Sequence, residues 1–283
     1  MTDGAGGSYD DLLDLAVDVA TEAADLVRRR RLDGVEVSGV KSSPTDIVTE
    51  VDKAAERLIF ERLTRARPDD GFVGEEGAHA RSTSDVEWIV DPIDGTVNFV
   101  YGIPTYAVSI AAAVAGEPVA GVVRNVHTGE TFTATRGGGA YQDGVRLRVP
   151  TSGPVKPLSQ RLVGTGFNYV RDVRLLQTAA VSAMLHEVRD IRRIGSAALD
   201  LCAVAAGRYD AFVEEGLNVW DVAAGGLVAT EAGAVLSQRD GIGGGTCYLC
   251  APACGFEEFR DLVERCGFLA SDPVSVGPAR ARE

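Results

Sequence analysis

Apolar residues recur at helical spacing over residues 8–31, where Leu12, Ala16, Val19, Ala23, Leu26 and Val27 form one stripe. Arg28, Arg29, Arg30 and Arg31 fall in the last turn of that pattern, where positive charge suits the helix dipole. A second stripe of Val51, Ala55, Leu58, Ile59 and Leu63 predicts a helix that starts near Thr49 and ends before Pro68. The pattern then changes. Residues 86–90 read as an apolar strand with Asp91 at its end, stopped by Pro92, and a short helix follows near Thr96. Residues 107–114, 119–123 and 131–135 read as antiparallel strands, with a turn at 116–118 and turns rich in Gly and Asn between them.

Around residues 150–157 the chain turns to Thr, Ser, Gly and Pro, which marks a connection between two halves. Beyond it strands and helices alternate. Strands are expected at 161–166, 190–194 and 209–214, and helices at 172–188, 196–206 and 220–231, with Gly233 ending the last. The expected organisation is an N-terminal α+β half over 1–150 and a C-terminal α/β half over 151–283. Helices are layered between sheets, so the fold class is α/β. The tail after Asp272 is expected to be disordered.

Composition narrows the functional classes. The chain has 283 residues, 45% of them hydrophobic, enough for a substantial core. No apolar run is long enough to span a bilayer, and the polar, Gly-rich start lacks a secretory pattern. A cytoplasmic protein is expected. The net charge of −13 argues against general affinity for nucleic acid or anionic membrane. Five cysteines in this context do not suggest a disulfide framework. Cys247, Cys250 and Cys254 could be read as a zinc or iron–sulfur cluster. Residues 246–251 read as a buried strand, however, and alternation would point Cys247 and Cys250 to opposite faces. Burial as small core residues explains them better.

Five carboxylates stand at element ends: Glu75 in an acidic Gly-Glu-Glu-Gly turn, Asp91, Asp94, Asp221 after Trp220, and Asp52 in the first turn of the second helix. In Asp91-Pro-Ile-Asp-Gly-Thr96, Pro92 turns the chain so that Asp94 returns beside Asp91. The Ile93 carbonyl is left without an obvious ladder partner, and Gly95 allows close backbone approach. The first amides of the next helix would face an anion such as phosphate. Singly, Asp94 could be a helix cap and Asp91 a locally bonded acid. Together the carboxylates need a cation, because crowded and desolvated they repel. Oxygen ligands without His or Cys favour Mg²⁺, with Mn²⁺ second. His79, His127 and His186 show no ligand spacing.

These residues resemble the inositol monophosphatase family of lithium-sensitive, metal-dependent sugar phosphatases. The match runs in order through Lys41-Ser-Ser-Pro-Thr-Asp46, Thr49 and Asp52, Gly74-Glu-Glu76, Trp88-Ile-Val-Asp-Pro-Ile-Asp-Gly-Thr-Val-Asn-Phe99, Gly195-Ser-Ala197, Glu214 and Trp220-Asp221. The resemblance implies an α-β-α-β-α sandwich, also the fold type of fructose-1,6-bisphosphatase, and a homodimer. It implies a first Mg²⁺ on Glu75, Asp91 and the Ile93 carbonyl, and a second on Asp91, Asp94 and Asp221. A third, weaker ion would sit near Glu75 through water. Phosphate would lie against the Gly95 and Thr96 amides. Thr96, Asp52 and Glu75 would activate water. Gly195, Ser196, Ala197, Glu214, Asp94 and Asp221 would meet the alcohol of a small phosphorylated polyol. Lys41 would lie on a mobile loop over the site. Val97 and Asn218 depart from residues common in relatives, and Asn218 bears on which alcohol is taken. Glu214 rather than Glu215 is assigned to the substrate from its spacing to Trp220.

Inositol monophosphate is the expected substrate. Sibling activities on histidinol phosphate, 3′-phosphoadenosine 5′-phosphate or fructose 1,6-bisphosphate use the same metal centre. A regulatory binding protein that kept the fold is the alternative from another class.

Overall fold

The computed structural model describes residues 9–32, 37–40 and 47–270. The polar start, Lys41 with its segment 41–46, and the tail after Asp272 lie outside the described residues. The first stripe forms α1 (Asp10–Leu32), which buries Leu12, Ala16, Val19, Ala23 and Val27. β1 (Val37–Val40) pairs antiparallel with β2 (Ile47–Thr49), which leads into α2 (Glu50–Ala66). Thr49 caps α2. Its hydroxyl accepts from the Val51 and Asp52 amides, and its own amide donates to the Asp52 carboxylate at 2.9 Å. This reciprocal box fixes the helix start and the Asp52 side chain together.

The chain then lays down β3 (Gly71–Gly74), β4 (His79–Ala80), β5 (Val86–Asp94), α3 (Thr96–Tyr101), β6 (Ala107–Val114) and β7 (Glu117–Asn125). β8 (Thr131–Thr135), β9 (Gly139–Gln142) and β10 (Val145–Leu147) complete an eight-stranded sheet in the order β10-β9-β8-β7-β6-β5-β3-β4. Its pairs are antiparallel except β3 with β5. The β6–β7 hairpin closes at Ala115-Gly116, so β7 begins at Glu117, earlier than the expected 119.

The second half contains β11 (Leu162–Thr165), α4 (Arg171–Leu185), β12 (Asp190–Arg192), α5 (Ala197–Ala205) and β13 (Ala211–Glu215). It ends with α6 (Val219–Glu231), β14 (Ala234–Asp240), β15 (Thr246–Pro252) and α7 (Phe256–Arg265). The five-stranded sheet runs β12-β11-β13-β15-β14. Its first three strands are mutually parallel, so their C-terminal ends open on the same side.

Alternation along the strands separates three apolar clusters. Trp88, Val90, Val108, Ile110 and Ala112 pack with α1 and α2. Ile89, Ala111 and Ala113 face the other way, onto α5 and α6, which also pack against Phe212, Tyr248 and Cys250 of the second sheet. Val163, Val213, Cys247 and Leu249 meet α4 and α7. The order is therefore helices, sheet, helices, sheet, helices, the expected sandwich. α5 and α6 lie between two sheets, which is why they are apolar nearly all round. Cys247 and Cys250 fall in different clusters on opposite faces, both buried as core residues.

One local expectation is corrected. Pro92 does not stop β5, which runs on to Asp94. The register jumps from Asp91 opposite Ser109 to Asp94 opposite Ala107, so Pro92 and Ile93 form a bulge. Proline is tolerated there because no ladder bond is asked of its nitrogen.

Candidate active site

The bulge decides where the acids point. Asp91 follows Ile89 on the face toward α5 and α6, and Asp94 is brought back onto the ladder two pairing positions later. The Ile93 amide donates to Asp91 Oδ1 at 3.0 Å, which holds the bend. The Ile93 carbonyl is outside the strand register, and its oxygen lies 3.1 Å from the Thr96 hydroxyl, an alternative acceptor to Asp52 for that one hydrogen.

Asp94 is not the cap of α3. That place belongs to Gly95, whose φ of 96° is left-handed and which has no side-chain cap. A Cβ on Gly95 would lie 3.0 Å from the carbonyls of Gly195 and Thr105, so glycine is required by both conformation and space. The Asp94 carboxylate instead reaches the second half. It accepts from the Ser196 hydroxyl at 2.6 Å and the Ala198 amide at 2.8 Å, at the start of α5. Asp221, in the first turn of α6, accepts from the Asn218 amide at 2.6 Å.

Asp91, Asp94 and Asp221 thus arrive from β5 and α6 with ligand oxygens all within 4.8 Å of one another. Burial pushes Asp91 well above the usual carboxylate range, and the charges of Glu75, Asp94 and Asp221 push it further. Burial raises Asp94 to about 6, against the opposing hydrogen bonds from Ser196 and Ala198. Burial and the Asp94 charge raise Asp221 well above its ordinary value. These acids resist ionisation because they are desolvated together. A hard divalent cation fits this set, since all donors are oxygens and its charge would turn their repulsion into attraction.

Beside the triad, the Thr96 hydroxyl lies 2.9 Å from Asp52 Oδ1. Asp52 is buried behind Thr96, already held by its bonds to Thr49, and burial raises its pKa. A hydroxyl that donates to a carboxylate keeps its lone pairs for a further donor, such as a water molecule.

A cavity of about 510 Å³ opens over these groups. It gathers Glu75, Asp91, Ile93, Asp94, Gly95 and Thr96 from the first half. From the second half it gathers Gly195, Ser196, Ala197, Glu214 and Asp221. Asp52 reaches it through Thr96. The three histidines do not line it. Glu215 also borders the cavity, but its carboxylate accepts from the Gly243 and Gly245 amides and from Gln177 Nε2. Glu214 is the neighbour whose carboxylate leans into the open space, over Gly166. Burial raises Glu214 to about 7, against the pull of Arg193.

Sequence reasoning missed Arg193 and the wall at Phe167, Asn168, Tyr169 and Val170. Both lie just past the C-terminal ends of parallel strands, where clefts of open α/β sheets form. That signal was available once the strands were placed, but the strand order was not.

The inositol monophosphatase family matches residues 8–259 of the chain. The inositol-1-monophosphatase SuhB of Mycobacterium tuberculosis is 47% identical over 280 residues, covering 93% of this chain and 96% of the relative. The Nus factor SuhB of Pasteurella multocida is 39% identical over 233 residues, covering 81% of this chain and 86% of the relative. The solved structure of Mycobacterium tuberculosis SuhB is similar with a TM-score of 0.78 at 42% identity, covering 93% of this chain and 100% of that one. On a match of this span, with relatives similar over most of their length, the chain belongs to the inositol monophosphatase family of metal-dependent phosphatases.

Proposed function

We propose that this chain is a Mg²⁺-dependent phosphomonoesterase that hydrolyses inositol monophosphate to inositol and phosphate. The observation that carries the reading is the placing of the Asp91, Asp94 and Asp221 triad beside the Thr96–Asp52 pair in one cavity. Glu75, Asp91 and the Ile93 carbonyl would hold one ion, and Asp91, Asp94 and Asp221 another. A third ion would sit near Glu75, and Mn²⁺ suits the same oxygens. When bound, the ions acidify water and neutralise charge on phosphoryl oxygens.

The chain's own groups do the rest. The Gly95 and Thr96 amides would receive the phosphate oxygens. The Thr96 hydroxyl would accept a hydrogen bond from the attacking water while donating its own hydrogen to Asp52 Oδ1, so that the water's proton is relayed through Thr96 to the Asp52 carboxylate, with Glu75 on the same water. The water oxygen bonds to phosphorus as the bond from phosphorus to the alcohol oxygen breaks, and that oxygen takes up a proton from solvent water as the alcohol leaves. Positioning and electrostatics supply most of the acceleration. Ser196, Glu214, Asp94 and Asp221, with the backbone at Gly195 and Ala197, would meet the polyol hydroxyls. The acid at Glu214 disfavours a second phosphate, which favours a neutral polyol over fructose 1,6-bisphosphate or 3′-phosphoadenosine 5′-phosphate.

A regulatory binding role is the second reading, supported by the Nus factor name of one relative. The net charge of −13 speaks against direct nucleic-acid contact in such a role. We also place the protein in the cytoplasm, in keeping with the lack of a membrane-crossing helix among the described residues. A homodimer is part of the same reading, and light scattering would test it.

The deciding experiment is phosphate release from inositol 1-phosphate, histidinol phosphate, 3′-phosphoadenosine 5′-phosphate and fructose 1,6-bisphosphate, with and without Mg²⁺. Highest kcat/KM on inositol 1-phosphate is expected, and no turnover after chelation. Preference for a sibling substrate would refute the substrate assignment, and no turnover of any ester would refute the enzyme.

A further inference from the structure

Two buried acids stand one turn apart on α2. Asp52 is fully buried and Glu56 is 3% exposed, on a face otherwise made of Val51, Ala55, Ile59 and Leu63. A carboxylate placed among apolar side chains needs donors of its own. Asp52 finds them at Thr49 and Thr96. Glu56 finds them in the turn between β3 and β4, the turn that carries Glu75. Its Oε2 accepts from the Glu76 amide at 2.7 Å and its Oε1 from the Ala78 amide at 2.8 Å.

The approach is close. A Cβ on Gly74 would lie 2.3 Å from Glu56 Oε2, so the carboxylate crosses a position that a larger residue would block. On its other side the same turn is tied to β5. Gly74 pairs with Val90, and the Glu75 amide donates to the Val90 carbonyl at 3.1 Å. Val90 directly precedes Asp91. Glu75 therefore stands between two supports, β5 next to Asp91 and α2 through Glu56. The tip of the turn at Gly77 is exposed, and a Cβ there would meet open space, so packing does not hold the tip. Asp91 repels a second carboxylate brought beside it, and a turn without a clamp would swing Glu75 outward.

We propose that Glu56 is a positioning residue for the metal centre, fixing through the Glu76 and Ala78 amides the turn that presents Glu75 to a divalent cation. This rests on the metal reading above. α2 is then the common support of two parts of the site. Asp52 fixes the hydroxyl that would orient water, and Glu56, one turn later, fixes the ligand turn. Glu56 acts through where Glu75 stands and through how little ordering remains when an ion binds.

The test is binding of Mn²⁺ alone, counted from the paramagnetic resonance of the free ion and repeated with Mg²⁺ by calorimetry, so that turnover does not enter the readout. Glu56→Gln keeps the length of the side chain but leaves one acceptor where two amides point. It should weaken one bound ion about tenfold to a hundredfold. The ion assigned to Asp91, Asp94 and Asp221 should change by less than about threefold. Gly74→Ala should cause the same selective loss by displacing the intact carboxylate, and it carries the test if Glu56→Gln does not fold. In a Glu75→Gln background, Glu56→Gln should change the binding that remains by less than about twofold, because the ligand it positions is already altered. Ile59→Val loosens the packing of the same helix and should leave both ions as tight as in the wild type, with circular dichroism checking that each variant is folded. Wild-type binding in Glu56→Gln, equal loss of both ions, loss that adds to that of Glu75→Gln, or a like loss in Ile59→Val would overturn the role of Glu56 and leave the phosphatase reading standing. A wild-type protein that binds no divalent ion would refute the metal reading and this inference with it.

Discussion

The Ser196 hydroxyl donates a 2.6 Å hydrogen bond to the Asp94 carboxylate, across 102 residues of chain. The same carboxylate accepts from the Ala198 amide, so an acid on the first sheet caps a helix of the second half. Ser196 also caps its own helix through the Leu199 amide at 3.4 Å. Ser196→Ala should therefore cost about 1–2 kcal/mol in urea unfolding, from a lost cap and a buried bond to a charged group. Because that hydroxyl holds the Asp94 pKa down, the variant should also bind Mg²⁺ more weakly near pH 6.5 by calorimetry. Unchanged stability and affinity would refute this account of the link.

The buried acids set a pH dependence whose sign can be worked out. Folding raises Asp94 from 3.8 to about 6 and Glu214 from 4.5 to about 7. Between those limits the folded chain binds more protons than the unfolded one, so metal-free stability falls as pH rises through the window. The contribution is complete below the unfolded values and lost above the folded ones. Mg²⁺ must displace the same protons to bind. The rise in melting temperature on adding Mg²⁺ should be larger at pH 8 than at pH 5.5, and equal rises would count against the site.

Asp91→Asn removes one negative charge from a cluster whose members repel. The amide oxygen can still accept from the Ile93 amide, so the bulge is expected to survive. At pH 8 the metal-free variant should melt at or above the wild-type temperature. Its Mg²⁺-dependent rise should vanish, and turnover should fall more than about a hundredfold. Full activity in this variant would refute the metal assignment.

Thr96 and Asp52 should separate by stability although they share a role. Thr96→Ala removes the hydroxyl that would orient water and leaves the Thr49–Asp52 box intact. It should lower kcat by about 10² to 10³ with little change in KM or in unfolding. Asp52→Asn should lower kcat similarly and also weaken the folded state, because the carboxylate is part of the α2 cap. A Thr96→Ala enzyme with normal kcat would remove Thr96 from the mechanism.

Much of the architecture was legible because period and burial agree. The α1 and α2 stripes and the alternating β8 face one apolar layer, and β6, buried on both faces, reads as an unbroken apolar run, so their patterns are clean. The reading of Pro92 failed because a proline that ends a strand and one that sits in a bulge look alike in sequence. What differs is the register of β6, which resumes pairing at Asp94. The structure adds α7 beyond the expected elements, and its buried Phe256, Phe259, Leu262 and Val263 carry helical spacing. β3, with four residues, and β14, whose last residues are exposed, carry little pattern of their own and are defined by the partners they pair with.

The carboxylates, the Gly-Thr turn and the family can be read without a structure, because those depend on residue type and local spacing. The parting of Cys247 and Cys250 can be read in the same way, since alternation is a property of any strand. Long-range packing sets the rest: Asp94 caps a distant helix, Glu215 is committed to backbone amides while Glu214 is not, and Arg193 flanks the cavity. Those facts depend on which strands are neighbours and which helix starts meet them. Strand order is set by packing among segments far apart in the chain, and no local pattern carries it.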